Sequence, residues 1–463
     1  MTQKVRDYFK HITTIPRPSG NEEKIRERLI DWASKNSFNY KIDSIGNVVI
    51  YLPASPGYEE KDVVILQGHM DMVCVKAPTS THDFFKDPLQ TYEEDGWLKA
   101  KDTTLGADNG IALAMMLAIV EHPHPALELF FTVDEERGLT GALNFDTSLL
   151  SGKYLINLDT EDEGEICISS SGGARVDCIH QLEFEAIKYP SYELKIVGLQ
   201  GGHSGVDIHL NRGNAIVALL DIIHSYAGSL QVIEIHGGQA DNAIPTDSKA
   251  VLAVEDIEKF DKHVLSYIHN YKKKYEAGSL SYSITPHIGD HPAIKNHSDF
   301  LSVLLNIPDG VRTMSEGVDG LVESSVNLGM FITADSKFNI TYAPRSSDNK
   351  KLGGLVDELH TQHGSIGGVV STRSRYPGRY QNPNDALVQL VKKHYEDVLQ
   401  SPIKIVAYHA GLECGALVGK LGTHVQSVSF GPTIKHPHSI NEKVYIPSVD
   451  RVYQVLKKIL INF

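Results

Sequence analysis

Three short apolar runs in the first 160 residues each stop on a histidine or a carboxylate, and no other feature limits the fold as much. "DVVILQGH" (62–69) ends in His69, "ALELFFTVDEE" (126–136) in Glu135 and Glu136, and "KYLINLD" (153–159) in Asp159. Between the first two lies "NGIALAMMLAIVEH" (109–122), a helical segment that is apolar nearly all round. Apolar runs of strand length alternating with a buried helix predict an α/β sheet covered on both faces. In open sheets of this kind ligands bind beyond the carboxyl ends of the strands. The polar residues that end these runs are therefore expected to converge on one site.

Their types point to a metal. Asp71 lies two residues beyond His69, on the same side of an extended chain, where a carboxylate can orient the imidazole and leave Nε2 free for a ligand. Asp108, in "KDTTLGADNGIA" (101–112), precedes the buried helix, with Gly106 and Gly110 allowing close backbone approach. As an isolated residue Asp108 also suits a helix N-cap. Glu135 and Glu136 repel one another at a buried strand end unless positive charge is near; a metal supplies that charge, one carboxylate ligating it and the other free to move protons. "FGPTIKHPHSINEKV" (430–444) adds His436 and His438, of which one need be a ligand. Together His69, Asp108, Glu136, Asp159 and His438 make two open three-ligand sites if Asp108 bridges. Three protein ligands and no cysteine fit a catalytic zinc better than a structural one.

From about 185 the pattern changes to strands and helices with antiparallel character, including the hairpin "VNLGMFITADSKFNITYAPRSS" (326–347). The tail returns to the earlier style, with helix 385–400, two strands and a final helix over 448–462. The expected organisation is an α/β domain with a central mixed sheet, 1–184 and 381–463, interrupted by an inserted α+β domain, 185–380, with an antiparallel sheet in two related halves.

The net charge of −14 excludes a nucleic-acid surface. No run of about 18 apolar residues is present, so no membrane span is expected. The amphipathic start without a signal core and the four scattered cysteines, without a CxxC pair, lead to an expected cytoplasmic location.

The motifs "GHMDMV", "TTLGADNGIA", "DEERGLTGA", "LINLDTEDEGEI", "GGHSGVDIHLNRGNA", "NAIPTD", "HAGLECG" and "GPTIKHPHS" run in order from 68 to 439. In these the chain resembles the aminoacyl-histidine (cytosol nonspecific) dipeptidase group of the di-zinc metallopeptidases, a family that also holds aminoacylase and carboxypeptidase-type enzymes. The resemblance implies a zinc-peptidase catalytic domain with a lid as the insert, and hydrolysis of dipeptides with free termini, Xaa-His among them. It implies two zinc ions per subunit, with cobalt or manganese as substitutes that the same donors accept. It assigns His69, Asp108, Glu136, Asp159 and His438 to the metals with Asp108 bridging, Asp71 to orienting His69, and Glu135 to general base and acid. From the lid it assigns His203 to polarising the scissile carbonyl, and Asn242, Arg345 and the backbone of Gly411 to the substrate's C-terminal carboxylate. A homodimer through the lid is implied, in which His203 acts in cis or in trans, and so is a cis peptide after Asp108. The pattern departs from the family's "HSPDE" at "HSINE" (438–442). An N-acyl amino acid deacylase or other amidohydrolase on the same scaffold is the alternative activity.

Overall fold

The computed structural model describes residues 1–275, 277–289, 291–295, 297–316, 320–422 and 424–463. The chain divides into two compact units. The first comprises Met1–Ser170, Arg379–Ala407 and Leu412–Phe463; the second comprises Ser171–Gly378 and Tyr408–Gly411. The boundaries expected at 184/185 and 380/381 thus lie at 170/171 and 378/379. The difference at the first boundary has a clear cause. The strand Gly172–Gln181 pairs with Lys337–Ser346 on one side and Val369–Tyr376 on the other, so it is a member of the second unit's sheet.

The first unit is built on a nine-stranded mixed sheet. At its centre β1 (Val64–His69) lies parallel to both β2 (Leu127–Thr132) and β3 (Tyr154–Asn157). Gln426–Ser429 continues the parallel set beside β3, whereas Val48–Leu52 runs antiparallel to β2. β1 and β2 are buried along their full length, which accounts for their unbroken apolar sequence. Helix α1 (Ala107–Ala118) has eleven of its twelve residues buried, packed between the N-terminal helix Gln3–Ile12 and β1. An all-round apolar helix is stable only in such a sandwich, each large side chain contributing roughly 1.5–3 kcal/mol. Because β1, β2 and β3 are parallel, their carboxyl ends, carrying His69, Val133–Glu136 and Leu158–Asp159, lie at one edge.

The second unit has its own apolar core and its own nine-stranded sheet, whose recorded strand pairs are all antiparallel. Two runs of four strands meet where β5 (Leu230–Gly237) touches β6 (Val322–Ala334), with β4 (Gly172–Gln181) and β7 (Lys337–Ser346) beyond β6. The helices α2 (Ala215–Ser225) and α3 (His297–Leu305) pack on one another. Asn214 caps α2, its Oδ1 accepting from the amides of Ile216 and Val217. Among the described residues no helix is long and apolar enough to cross a membrane. The expected α/β domain with an α+β insert is the architecture observed.

Candidate metal centre and substrate groups

At the carboxyl edge of the first unit's sheet two histidines face one carboxylate. His69 Nε2 is 3.1 Å from Asp108 Oδ1, and His438 Nε2 is 3.1 Å from Asp108 Oδ2. Asp159 Oδ1 lies 3.4 Å from His69 Nε2, and Glu136 Oε1 lies 3.0 Å from His438 Nε2. Ligand atoms of His69, Asp108 and Asp159 fall within 4.8 Å of one another, as do those of Asp108, Glu136 and His438; His69, Glu135 and Glu136 form a further such group. His438 projects from the loop of a hairpin whose arms are Ile434–Lys435 and Lys443–Tyr445. His436, two residues earlier, is exposed and joins none of these groups. Cys74 is half-buried and also outside them.

The electrostatics depend on the crowding of carboxylates around two rings. Burial disfavours a charged His69, but Asp159, Asp108 and Asp71 outweigh it and hold its pKa well above the usual value. The same opposition raises His438 to about 11, through Asp108 and Glu136. Burial raises Asp159 to about 6 despite His69. Glu135 is held well above the carboxylate range by burial, with the charges of Glu136, Asp159 and Glu413 adding and His69 opposing. Among the described residues no lysine or arginine forms an ion pair with Asp108, Glu136 or Asp159; His438 Nε2 bonds Asp108 Oδ2, and although it also lies 3.0 Å from the buried Glu136 Oε1 it leaves that oxygen without an aligned donor. A cluster of acids with imidazole nitrogens and an orphaned carboxylate oxygen is the donor set that a divalent metal satisfies. The residues present fit such an ion.

Asp71 does more than face the ring. Its Oδ1 lies 3.3 Å from His69 Nδ1 and accepts the Glu135 amide at 3.0 Å; its Oδ2 accepts the Ser19 hydroxyl at 2.7 Å and the Glu136 amide at 3.3 Å. These bonds, with the His69 ring, hold its pKa down at about 2 against burial. One carboxylate therefore positions both an imidazole and the backbone of the acidic pair.

Two further residues frame the centre, and their chemistry gave no signal in the sequence. Arg17, 2% exposed, donates from Nη1 to the carbonyls of Met70 (3.0 Å) and Asp71 (2.7 Å) and from Nη2 to that of Gly106. Glu442, 3% exposed, accepts four consecutive amides: Leu105, Gly106, Ala107 and Asp108 at 2.8, 3.0, 2.8 and 3.3 Å. The loop before Asp108 is thus held through its carbonyl by a cation and through its amides by an anion. Gly106 has φ +63°, and a Cβ there would stand 2.6 Å from Arg17 Nη2 and 2.8 Å from Met72 Sδ; the close approach expected at this glycine is to Arg17. The Asp108–Asn109 peptide is cis.

The four residues expected to hold substrate all lie in the second unit. His203 is in the short strand Gly202–His203, paired with Ala243–Ile244, and the Ser204 amide donates to the carbonyl of Asn242 at 2.8 Å. His203 Nδ1 accepts the amides of Val206 (3.0 Å) and Gly205 (3.2 Å). A ring nitrogen that accepts carries no proton, so the neutral ring bears its hydrogen on Nε2. Arg345, on β7 and 2% exposed, donates from Nη1 to the Tyr376 hydroxyl at 2.8 Å, while its Nε is buried without an acceptor. Gly205 brings these together: a Cβ there would stand 3.1 Å from His203 Cε1 and 3.2 Å from Arg345 Nε. A Cβ on Gly411 would stand 2.8 Å from the Tyr376 ring. The Asn242 side chain is exposed.

Residues 65–462 match the model of peptidase family M20/M25/M40. The chain belongs to that family. It is 34% identical over 467 residues to the cytosol non-specific dipeptidase of Escherichia coli (strain K12), covering 98% of this chain and 96% of that protein. Its fold superposes on the aminoacylhistidine dipeptidase of Vibrio alginolyticus with a TM-score of 0.89 at 33% identity, covering 100% of this chain and 97% of the other. The aminopeptidase PepT of Bacillus cereus, at 17% identity and a TM-score of 0.58 over 99% of this chain and 97% of that one, shares the fold. As a member of the M20/M25/M40 family the chain is a peptide hydrolase.

Proposed function

We propose that this M20-family hydrolase is a di-metal dipeptidase, with His69, Asp108 and Asp159 holding one ion and Asp108, Glu136 and His438 the other. The observation that carries this reading is the two-sided use of Asp108, whose oxygens each face a different histidine at 3.1 Å. The mixed nitrogen and oxygen donor set without sulfur favours zinc. When bound, such a metal pair supplies Lewis acidity and lowers the pKa of water toward neutrality.

Glu135 takes the proton of the attacking water and returns it to the leaving amine. Burial among other carboxylates raises its pKa, the direction expected of a carboxyl that must carry a proton during part of the cycle. Asp71 keeps His69 oriented and the Glu135 backbone in place. In the second unit the Nε2–H of His203 donates to the carbonyl oxygen as negative charge develops there. Arg345 receives the substrate's terminal carboxylate as a planar, permanently charged fork, with Asn242 and the Gly411 backbone beside it. A substrate with both termini free, and therefore short, uses all of these groups. The dipeptidase names of the two relatives aligned along nearly the whole chain support the same substrate class.

The test is a panel of free, N-blocked and C-amidated dipeptides, Xaa-His included, on chelated and zinc-reconstituted protein. Zinc-dependent hydrolysis confined to free dipeptides is expected. Equal turnover of N-acyl amino acids would favour the deacylase. The proposed homodimer through the second unit is checked separately by light scattering.

A further inference from the structure

The second unit contains a cavity of about 520 Å³ that involves none of the residues assigned above to metal or substrate. It opens between α2, α3 and the segment Ile307–Met314. Val217, Leu220, Leu304 and Val326 supply apolar walls, and the rings of Tyr271 and Tyr275, with centroids 4.3 Å apart, form an aromatic side. In this lining stands a carboxylate, Asp309.

Among the described residues, donors reach one oxygen of Asp309. Its Oδ1 accepts the Leu328 amide at 2.7 Å and the Asn214 side-chain amide at 3.2 Å. Among the described residues no donor reaches Oδ2, and no lysine, arginine or histidine forms an ion pair with the group. The other strongly charged residue of the lining, Arg212, is engaged elsewhere, with Asp207 at 3.4 Å and the Gly201 carbonyl at 2.7 Å. A carboxylate has about four acceptor positions, and a charged group in an apolar wall is costly unless a cation meets it. Burial pushes Asp309 up to about 7, against the two amides that favour its charge.

We propose that this cavity binds a small primary amine with an aliphatic or aromatic flank, its ammonium on Asp309 Oδ2 and its flank among the apolar walls. Two chemical features select that class. Asp309 is a carboxylate without an ion-pair partner among the described residues, so a cationic group is its complement. The walls around it are apolar, so the ligand carries a hydrophobic group. Among the described residues two bonds reach Oδ1 and none reaches Oδ2, so the backbone and Asn214 use half of the group and leave the other half for a ligand.

The experiment is calorimetric titration of the full-length, metal-loaded protein with phenethylamine and isoamylamine, and with the neutral alcohols of the same shape. Saturable one-to-one binding of the amines is expected, with the alcohols at least about tenfold weaker. Asp309→Asn is expected to weaken amine binding about ten- to hundredfold, as loss of a charge-assisted contact does, with dipeptide kcat and KM unchanged. Val217→Trp, which puts a large ring into the cavity from its wall, should abolish binding even if the Asp309 variant misfolds. Glu135→Gln should leave binding intact, separating this site from the hydrolytic one. No saturable amine binding, alcohols binding as well as amines, or binding that survives Val217→Trp would each overturn the proposal.

Discussion

Replacing Glu442 by glutamine keeps the shape of a buried side chain and removes its capacity to accept on both ends. In the structure Oε2 takes the amides of Leu105 and Gly106 and Oε1 those of Ala107 and Asp108. A glutamine can keep one pair on its single oxygen; its NH2 then points at the other two amides, donor against donor. The least costly choice sacrifices Ala107 and Asp108, at 2.8 and 3.3 Å, one good bond and one long one. With the retained pair now on a neutral acceptor, the loss is about 3 kcal/mol. Both tryptophans, Trp32 and Trp97, belong to the first unit, so their fluorescence during urea unfolding reports that unit alone. The variant is expected to unfold at lower urea and to retain less metal at limiting zinc. A free-energy change below about 0.5 kcal/mol, with full metal content, would refute the view that this carboxylate holds the Asp108 loop.

Three other outcomes follow from the same geometry. His180 Nε2 and His363 Nδ1 are 2.8 Å apart in the second unit, and His363 Nε2 is 3.2 Å from the Tyr342 hydroxyl. Burial pushes the two rings down to about 4 and about 3, His363 with the added repulsion of His180. Both are therefore neutral when folded and titrate near 6.5 when unfolded. Their contribution is complete above about pH 6.5 and is lost as pH falls toward 4 and 3, reaching about 2 kcal/mol for each ring at about pH 5. Amide exchange in β7, corrected for intrinsic rates, should show this loss; equal protection at both ends of that range would contradict it. Arg345→Lys should raise KM for free dipeptides about tenfold or more with a smaller change in kcat, because a point charge replaces a fork; an unchanged KM would remove Arg345 from the substrate site. Gly106→Ala should cost roughly 1–3 kcal/mol, since the new methyl meets Arg17 and Met72 at a positive φ; urea unfolding read by tryptophan fluorescence decides this, and wild-type stability would contradict it.

The strand ends were legible in the sequence because hydrophobic runs and the residues that close them are local. A buried parallel strand must be apolar throughout, so the first polar residues after β1 and β2 mark the edge where a site can form. The closeness of His69, Asp108, Glu136, Asp159 and His438 was anticipated from that edge and from the family resemblance together. Arg17 and Glu442 were not, because their partners are backbone atoms. Arg17 reaches carbonyls 53, 54 and 89 residues away, and Glu442 reaches amides 334 to 337 residues away, with no side-chain pattern to reveal either. A similar reason hides from the sequence that the strand Gly172–Gln181 is a member of the second unit's sheet. Its register is set by partners more than 150 residues later, while the strand just before it, Glu165–Ser170, belongs to the first unit's sheet. The departure at 438–442 leaves intact what the structure uses there, a hairpin loop with His438 at one end and Glu442 at the other.

The central claim is that Glu135 moves the proton at a centre assembled on Asp108. Glu135→Gln tests it most directly, with zinc content and dipeptide hydrolysis measured on the same preparation. The account predicts two zinc ions retained per chain and kcat reduced about 100- to 10,000-fold. Wild-type turnover with the metals in place would contradict it.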